Sequence, residues 1–335
     1  MKKVSFVMEL HKENIIFNKN IKSDRDYAYD KYHKLFDEFE KNGYLVATED
    51  VHSIEEADVV IYKDYINSNS IKASKSYFIA MESEIITPQN FDRGYHDNFK
   101  KVFTWHDDYI DKNKYIKLNY AFKLPEKIPK IFNNKKLCCL IISNKSSIFP
   151  NELYGERKKL IKWFEKEHPL DFDLYGYGWN EYRFTGVRLF RVLNRVPFIR
   201  NLAYKFIGEK FTIYKGKVED KYEAMQDYKF TIAYENVKDV PGYITEKIFH
   251  AFFAGCIPVY WGANNITEYI PVNCFIDRRK FNTNEDLYSY LMSISRDEYL
   301  NYLDNIERFL NSEDGKKFSS EYNAAVIVNT ILEDK

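Results

Sequence analysis

The strongest constraint on the fold is an alternation between short apolar runs and segments of helical periodicity in the first half of the chain. Four of the apolar runs predict strands, at residues 4–8, 58–62, 77–80 and 102–105. Between the first two runs, Tyr32, Leu35 and Phe39 recur at helical spacing, and Gly43 follows where that helix would end. The alternation predicts a parallel sheet with helices on its faces.

The same alternation starts again in the second half of the chain. Residues 123–136 contain two prolines, a pair of asparagines and several lysines, which is linker composition. We therefore predict an N-terminal domain over residues 1–132, a C-terminal domain over 133–310 and a C-terminal helical segment over 311–335. Within the second domain the pattern predicts strands at 137–142, 172–175 and 229–233 and helices at 152–167 and 219–227.

The composition weighs against several classes of function. Fifty Lys and Arg residues balance fifty Asp and Glu residues, so no net charge draws the chain to nucleic acid. The four cysteines stand in apolar stretches without the C-x-x-C spacing of a metal site, and we expect reduced core residues. No segment approaches 18 apolar residues, and the apolar run near the N-terminus is too short for a signal peptide. We expect a soluble, cytoplasmic protein.

The stretch from Tyr234 to Pro271 carries the clearest chemical signal. It predicts the end of a strand, a loop, a helix capped by Thr245 and a further strand. A helix that begins at the carboxyl end of a parallel strand favours phosphate binding, because its first N–H groups and its dipole attract anions. Lys247 opposes that dipole, which is easier to explain if it meets an anion, and Glu246 could bind ribose hydroxyls. An ordinary helix start with a solvated Glu-Lys pair is the alternative.

The order of the motifs in this stretch points to a known family. The strings Y-E-N, G-Y-I-T-E-K-I-F-H-A and G-C-I-P-V-Y-W-G follow one another between residues 234 and 262. They closely resemble the donor-binding region of the alpha-1,3/1,4-fucosyltransferases. Weaker blocks extend the resemblance, at residues 143–147 (SNKSS), Arg157, 174–180 (LYGYGWN) and 214–221 (YKGKVEDK).

The resemblance implies an α/β fold of two Rossmann-like domains facing across a cleft, the GT-B type, with GDP-fucose held by the C-terminal domain. It also implies roles for individual residues. Glu246 would bind the ribose and Lys247 the diphosphate, while Asn236 and Tyr243 would line the nucleotide pocket. Tyr234 and Glu235 of the Y-E-N string belong to the same predicted donor site.

The family also neutralises the diphosphate with an arginine near the sheet edge. The sequence offers no clear counterpart for that residue. Lys217, Lys215 and Arg183 are the candidates that remain open.

An inverting transfer requires a base for the acceptor hydroxyl, and a carboxylate is the usual choice. The string AMESEIITPQNFD follows the predicted strand 77–80 and resembles the family's E-S-P-x-N segment. Glu82 aligns best with the base of that segment. Glu84 is the alternative, because it replaces the proline and the segment is longer here. Both could also be solvated loop residues.

We predict no metal site and no required cofactor besides the donor substrate. The D-x-D triplets at 24–26 and 171–173 resemble metal-diphosphate motifs of other sugar transferases. Residues 171–173 enter a strand, however, and we expect Asp171 and Asp173 to lie on its exposed face. The histidines show no H-E-x-x-H pairing.

Two other classes of protein fit parts of the pattern. A nicotinamide-dependent sugar-nucleotide enzyme would need G-x-G-x-x-G after an early strand, and none of the twelve glycines supplies that motif. A non-catalytic sugar-binding or nucleotide-binding protein, or a transferase of the same fold that uses another GDP-sugar, remains open as an alternative.

Residues 183–217 form an insertion that the resemblance does not explain. The segment holds nine basic residues and one acid, Glu209. Arg188, Arg191 and Arg195 recur at helical spacing between apolar residues. This composition fits either a packed helical hairpin or a surface helix that meets anionic lipid at the inner face of the plasma membrane.

The patterns predict a nucleotide-binding α/β protein, and the resemblance implies an inverting glycosyltransferase. By that resemblance it would move L-fucose from GDP to a hydroxyl of a glycan, with alpha-1,3 linkage as the expectation. The expected acceptors are a surface polysaccharide, lipopolysaccharide, a lipid-linked glycan or an N-acetyllactosamine-like sugar.

Overall fold

The computed structural model describes residues 1–9, 12–19, 29–67, 71–111, 113–182, 184 and 192–334. The described residues form two six-stranded parallel sheets, each with its own core. The predicted pair of Rossmann-like domains is therefore confirmed. The break predicted at 123–136 falls in the connection between the two sheets.

The first sheet has the strand order β2-β1-β3-β4-β5-β6. Its strands are β1 Lys2–Val7, β2 Tyr44–Thr48, β3 Val59–Lys63, β4 Ser76–Ala80, β5 Lys101–Thr104 and β6 Tyr115–Lys117, with helices α1 Asp30–Lys41 and α2 Arg93–His96. All pairings are parallel, with Val4 opposite both Val46 and Val59. The inner strands β1, β3, β4 and β5 are mostly buried and rich in apolar residues, as expected for a parallel sheet.

Helix α1 packs on this sheet through the stripe that the periodicity predicts. Tyr32, Leu35 and Phe39 are buried in one cluster with Val4 and Phe6 of β1. The helix ends at Lys41 with Asn42 as its C-cap, and Gly43 follows with φ of +79°, a conformation that favours glycine. This turn leads directly into β2, a strand that the sequence patterns did not predict.

The second sheet has the order β12-β11-β10-β7-β8-β9. Its strands are β7 Lys136–Ile141, β8 Phe172–Tyr175, β9 Tyr214–Gly216, β10 Tyr228–Tyr234, β11 Ile257–Trp261 and β12 Ile276–Asp277. Its helices are α3 Tyr154–Glu167, α4 Pro197–Ile207, α5 Lys221–Gln226 and α6 Glu246–Phe253. The strand order reverses between β7 and β10, and ligands of open α/β sheets bind outside the carboxyl ends of strands at such a point.

The C-terminal helices connect the two domains a second time. They are α7 Asn284–Ser293, α8 Arg296–Leu310, α9 Glu313–Lys316 and α10 Ser320–Glu333. Ser320 N donates to the carbonyl of Phe122, so the chain returns beside the first crossover. Helix α10 then buries Ile327, Val328 and Ile331 in the core of the first domain. The last helix of the chain is thus part of the N-terminal unit in space.

The domains contact each other at the edge where both sheets present carboxyl ends. The ring of Trp105, which follows β5, lies 4.7 Å from the ring of Tyr243 in the second domain. Asp107 accepts hydrogen bonds from Asn265 Nδ2 at 2.8 Å and from the hydroxyl of Tyr269 at 2.5 Å. These contacts hold together the edges of the two sheets at which the strands have their carboxyl ends. The predicted site residues lie along these two edges.

Two expectations about side chains have different outcomes. All four cysteines are buried free thiols, as predicted. The prediction of an exposed polar face at 171–173 is wrong for Asp173, which is 8% exposed. Its carboxylate accepts from Lys136 Nζ at 2.8 Å and from the hydroxyl of Tyr228 at 2.6 Å, and these neighbouring strands cover the face.

Candidate active site

The loop between β10 and α6 is organised around a buried carboxylate. Glu235 has no solvent exposure, and its two oxygens accept from the backbone N of Thr245 at 2.8 Å and from its hydroxyl at 2.7 Å. Lys247 Nζ lies 3.1 Å from the same carboxylate. Glu235 therefore ties the end of β10 to the first turn of α6.

The role of Thr245 differs from the prediction. It occupies the position just before α6, as predicted, but its side chain makes no capping hydrogen bond. The hydroxyl donates to Glu235 instead. The first N–H groups of α6 are therefore not used by Thr245, and they remain suited to an anionic ligand.

Lys247 and Glu246 form a charged pair at the start of α6. Burial alone would lower the pKa of Lys247, but Glu235 and Glu246 outweigh burial and raise it, so the ammonium keeps its charge. Burial would raise the pKa of Glu246, yet Lys247, His250 and Lys221 hold it below its usual range. Because 39% of the Glu246 side chain is exposed, water screens part of this effect. The cleft thus contains a fixed cation beside an ionised carboxylate.

A second cation reaches the same loop from α3. Arg157 is 2% exposed, and its Nη2 lies 2.6 Å from the carbonyl oxygens of both Tyr234 and Glu235. The same nitrogen lies 3.3 Å from Asn236 Oδ1. Nε and Nη1 of Arg157 have no hydrogen-bond partner among the described residues. A buried guanidinium with unused donors is a strong candidate for an anion ligand.

Arg157 was noted in the sequence only as part of a motif and not assigned to the diphosphate. Its position in the first turn of α3, which follows β7, was the signal that could have identified it. Strands β7 and β10 flank the point where the strand order reverses. A basic residue in the segment that follows β7, such as Arg157, therefore lies close to the loop that follows β10.

Asn236 and Tyr243 lie next to each other at the wall between the domains. Asn236 Nδ2 lies 3.4 Å from the hydroxyl of Tyr243, whose ring packs on Trp105. Tyr243 is 2% exposed, and its backbone carbonyl accepts from the hydroxyl of Tyr260 at 3.2 Å. The two predicted pocket residues are thus brought together with Lys247 in one loop.

Glu82 follows β4 in the first domain, and its backbone is held by two polar side chains. Asp64 Oδ1 accepts from the backbone N–H groups of Met81 and Glu82 at 2.8 and 2.9 Å. Asn90 Nδ2 donates to Asp64 Oδ1 at 2.8 Å and to the carbonyl of Glu82 at 3.1 Å. Asn90 is fully buried. The backbone of Glu82 is thus fixed, while its side chain remains only partly exposed to solvent.

The pKa of Glu82 depends on charges from both domains. Burial and the neighbouring charge of Asp64 raise the pKa of Glu82, Lys63 opposes this, and Glu246 and Lys247 also act on it. Glu82 therefore interacts across the cleft with the charged pair at the start of α6. Glu84 is exposed on the same loop. A carboxyl with a raised pKa is better suited to accept a proton near neutral pH.

Other predicted site residues lie further from the cleft. The side chain of Tyr234 is 2% exposed and packs against Trp261, so Tyr234 and Glu235 support the loop from inside the domain. Lys217 Nζ lies 4.7 Å from the centre of the Tyr177 ring, and Lys215 Nζ lies 3.5 Å from Asp173 Oδ1. Arg183 lies outside the described residues. Among the described basic residues, Arg157 is therefore the better candidate for the second diphosphate contact.

The metal prediction can be compared with the described side chains. No group of three His, Cys, Asp or Glu side chains in the described ranges could hold a metal ion. Asp171 accepts from the hydroxyl of Tyr288 at 2.8 Å, while Asp173 is engaged by Lys136. The triplet at 24–26 lies outside the described residues.

Comparison with known proteins identifies the family. The profile for the C-terminal part of glycosyltransferase family 10 (fucosyltransferase) matches residues 131–322, which is more than half of the chain. The chain belongs to glycosyltransferase family 10. The matched range covers every strand of the second sheet as well as Arg157 and the loop around Lys247.

Relatives of family 10 with described activities match parts of the chain. An alpha-(1,4)-fucosyltransferase of Arabidopsis thaliana is 39% identical over 74 residues, or 22% of this chain and 18% of that protein. The alpha-(1,3)-fucosyltransferase FucT of Helicobacter pylori is 32% identical over 103 residues, or 30% of this chain and 21% of that protein. The chain thus spans about a fifth of the length of these two relatives.

Solved structures show that the fold of this family 10 chain is of the GT-B type. A crystal structure of an alpha1,3-fucosyltransferase with GDP has a TM-score of 0.59 and 18% identity, covering 99% of this chain and 90% of that chain. Anabaena Alr3699/HepE in complex with UDP and glucose has a TM-score of 0.55 and 12% identity, covering 99% and 100%. Both domains of this chain are included in these similarities.

Proposed function

We propose that this family 10 chain is an inverting fucosyltransferase that moves L-fucose from GDP to a hydroxyl of a glycan acceptor. The observation that carries the proposal is the arrangement of charge across the cleft. Lys247 and Arg157 supply cations on the donor side, and Glu82 supplies a carboxylate with a raised pKa on the opposite side. A diphosphate leaving group and a base are the two requirements of such a transfer.

In this proposal each charged residue acts on a named part of the reaction. Glu82 accepts the proton of the acceptor hydroxyl, and the hydroxyl oxygen forms a new bond to C1 of fucose. The bond between C1 and the diphosphate oxygen breaks, and GDP leaves with its electron pair. Lys247, Arg157 and the first N–H groups of α6 stabilise the charge that develops on the diphosphate. Glu246 accepts hydrogen bonds from the ribose hydroxyls.

The proposed donor and linkage are based on the ligands and activities of similar proteins. Both a GDP complex and a GDP-fucose complex of alpha1,3-fucosyltransferase are among the similar structures, which supports GDP-fucose as the donor. We propose alpha-1,3 linkage, and an alpha-1,4 product is the alternative because an alpha-(1,4)-fucosyltransferase is also a relative. As acceptors we propose surface glycans, among them lipopolysaccharide and N-acetyllactosamine-like sugars.

We also propose that the protein acts in the cytoplasm. All four cysteines are buried free thiols, and such thiols are typical of proteins in a reducing compartment. No helix among the described residues is long and apolar enough to cross a membrane.

The test is an assay of GDP release with a panel of GDP-sugars, each with and without an acceptor. We expect release to require both GDP-fucose and a glycan, and a fucosylated product whose linkage can be read by NMR. A sugar-binding or nucleotide-binding protein would bind ligand and release no GDP with any acceptor. Faster GDP release with another GDP-sugar than with GDP-fucose would show that fucose is not the transferred sugar.

A further inference from the structure

Helix α4 carries an apolar stripe that faces solvent. Phe198, Leu202 and Phe206 are 72%, 45% and 75% exposed. They recur every four residues and therefore lie on one face of the helix. No residue of α4 is buried. Three large apolar side chains in one exposed row are unusual, because exposed apolar residues are normally scattered.

Basic residues lie within α4 and directly before and after it in the chain. Residues 192–208 contain Arg195, Arg200 and Lys205 and no acidic residue. Arg200 is used internally, since its Nη1 lies 2.8 Å from Glu181. Among the described residues, no carboxylate forms an ion pair with Arg195, Lys205 or the nearby Lys210. The segment around α4 thus combines an exposed apolar row with basic residues that form no ion pair among the described residues.

The other face of α4 and the residues after it are attached to the second domain. The salt bridge between Arg200 and Glu181 holds the middle of the helix. Glu209, just beyond its end, pairs with Lys158 and Lys162 of α3. These ion pairs attach the helix segment to the second domain, and the apolar stripe lies on the solvent-exposed side.

We propose that α4 is a peripheral membrane-binding helix whose partner is a bilayer containing anionic lipid. An amphipathic helix with aromatic residues on one face and basic residues beside them lies in the plane of the membrane interface. The apolar row enters the boundary between headgroups and acyl chains, and the basic residues remain among the headgroups. Charge complementarity to anionic lipid favours this partner over a second copy of a chain whose net charge is zero.

The proposal changes which residues account for membrane contact. The sequence pattern pointed to Arg188, Arg191 and Arg195, of which only Arg195 lies among the described residues. The structure instead presents Phe198, Leu202 and Phe206 as the inserting row. If the transfer function proposed above holds, such a contact would bring the cleft to lipid-linked acceptors at the inner face of the plasma membrane. Binding to vesicles does not depend on that function.

Flotation with vesicles tests the proposal. We expect the parent protein to float with phosphatidylcholine vesicles that contain phosphatidylglycerol, to float less without phosphatidylglycerol, and to be released as salt rises. The variant Phe198→Ser/Leu202→Ser/Phe206→Ser should lose flotation. The variant Arg195→Gln/Lys205→Gln/Lys210→Gln should bind on the order of one hundred-fold more weakly, because each basic residue contributes about a factor of five.

The control variants distinguish binding through α4 from nonspecific adsorption of the protein to vesicles. Val51 and Leu170 are exposed apolar residues outside α4, so Val51→Ser/Leu170→Ser should float like the parent. Each variant should keep the thermal stability of the parent, which shows that α4 is still folded onto the domain. No flotation by the parent, or equal flotation of the serine variant and the parent, would overturn the proposal. Self-association that disappears in the serine variant, without vesicle binding, would assign the stripe to a dimer interface instead.

Discussion

Lys247 Nζ lies 3.1 Å from an oxygen of Glu235, a carboxylate with no solvent exposure. The pair links the start of α6, at the proposed donor site, to the end of β10. A buried ion pair is strongly destabilised when one member is removed alone, because the other charge is left without a partner. Lys247 therefore has a structural role as well as its proposed role in binding the diphosphate.

The two roles of Lys247 can be separated. Lys247→Met should lower the free energy of unfolding by about 3–5 kcal/mol and also weaken GDP binding. In Lys247→Met/Glu235→Gln the buried charge is gone, so stability should largely return while GDP affinity stays low. Thermal unfolding and calorimetric titration with GDP measure the two effects. Recovery of GDP affinity in the double variant would show that Lys247 acts through Glu235 alone.

Glu82→Gln should retain GDP affinity and lose most of the transfer rate. General base catalysis contributes roughly 10² to 10⁴-fold, and glutamine cannot accept the proton. Glu84→Gln is the matched control, because it lies on the same loop and is exposed. Rate constants at saturating donor and acceptor distinguish the two. A large loss of transfer rate in Glu84→Gln, with normal turnover in Glu82→Gln, would identify Glu84 as the base instead.

The acid limb of the pH-rate profile should respond to the charges beside Glu82. A base with a raised pKa loses activity as pH falls through that value, so the limb lies above the usual 4.5 for glutamate. Asp64 raises the pKa of Glu82 and Lys63 lowers it. Asp64→Asn should therefore shift the limb to lower pH, and Lys63→Met should shift it to higher pH. If the acid limb shifted in the same direction in both variants, the limb would report the titration of a group other than Glu82.

The local patterns predicted the secondary-structure elements of the proposed donor site better than its contacts. The strand, loop and helix around Lys247 follow from apolar periodicity and from the helix signals in adjacent residues. The hydrogen bond from Arg157 to the carbonyl of Tyr234 spans 77 positions, and no local pattern encodes that separation. The contact depends on the strand order of the sheet, which periodicity does not determine.

The same limit applies to the first domain. Glu82 was identified through a motif, but the part played by Asp64 was not, because Asp64 follows a neighbouring strand 18 positions earlier. In the second sheet, the short edge strands were also missed. Strands β9 and β12 contain three and two residues, which is too short for an alternating pattern to be recognised.

Arg157 should contribute to the binding of the diphosphate. Arg157→Lys keeps a positive charge but loses the planar set of donors, and GDP affinity should fall roughly 10- to 100-fold, the range expected for hydrogen bonds to a charged group. Guanosine, which lacks the diphosphate, should bind parent and variant equally. Lys159→Met, on the exposed side of the same helix, is the control and should bind GDP normally. An equal loss of guanosine binding would mean that Arg157 only shapes the loop.

The contact between the domains should depend on the absence of a side chain at Gly242. This residue has φ of +78°, and a Cβ atom there would lie 2.3 Å from the carbonyl oxygen of Trp105 in the other domain. Gly43 provides a matched control, since its φ is +79° and a Cβ atom would meet nothing within 4 Å. Gly43→Ala should cost about 1–2 kcal/mol of stability for the left-handed conformation and leave transfer unchanged.

Gly242→Ala carries the same conformational cost and must also move Trp105 or the loop before α6. Because Trp105 packs on Tyr243 and donates to the carbonyl of Met81 at 2.9 Å, this movement disturbs both sides of the cleft. We expect a larger loss of thermal stability than in Gly43→Ala, together with a loss of turnover at saturating GDP-fucose. Thermal unfolding and steady-state kinetics of the two variants measure the difference. Equal stability and equal turnover in both would show that the cleft tolerates displacement of this contact.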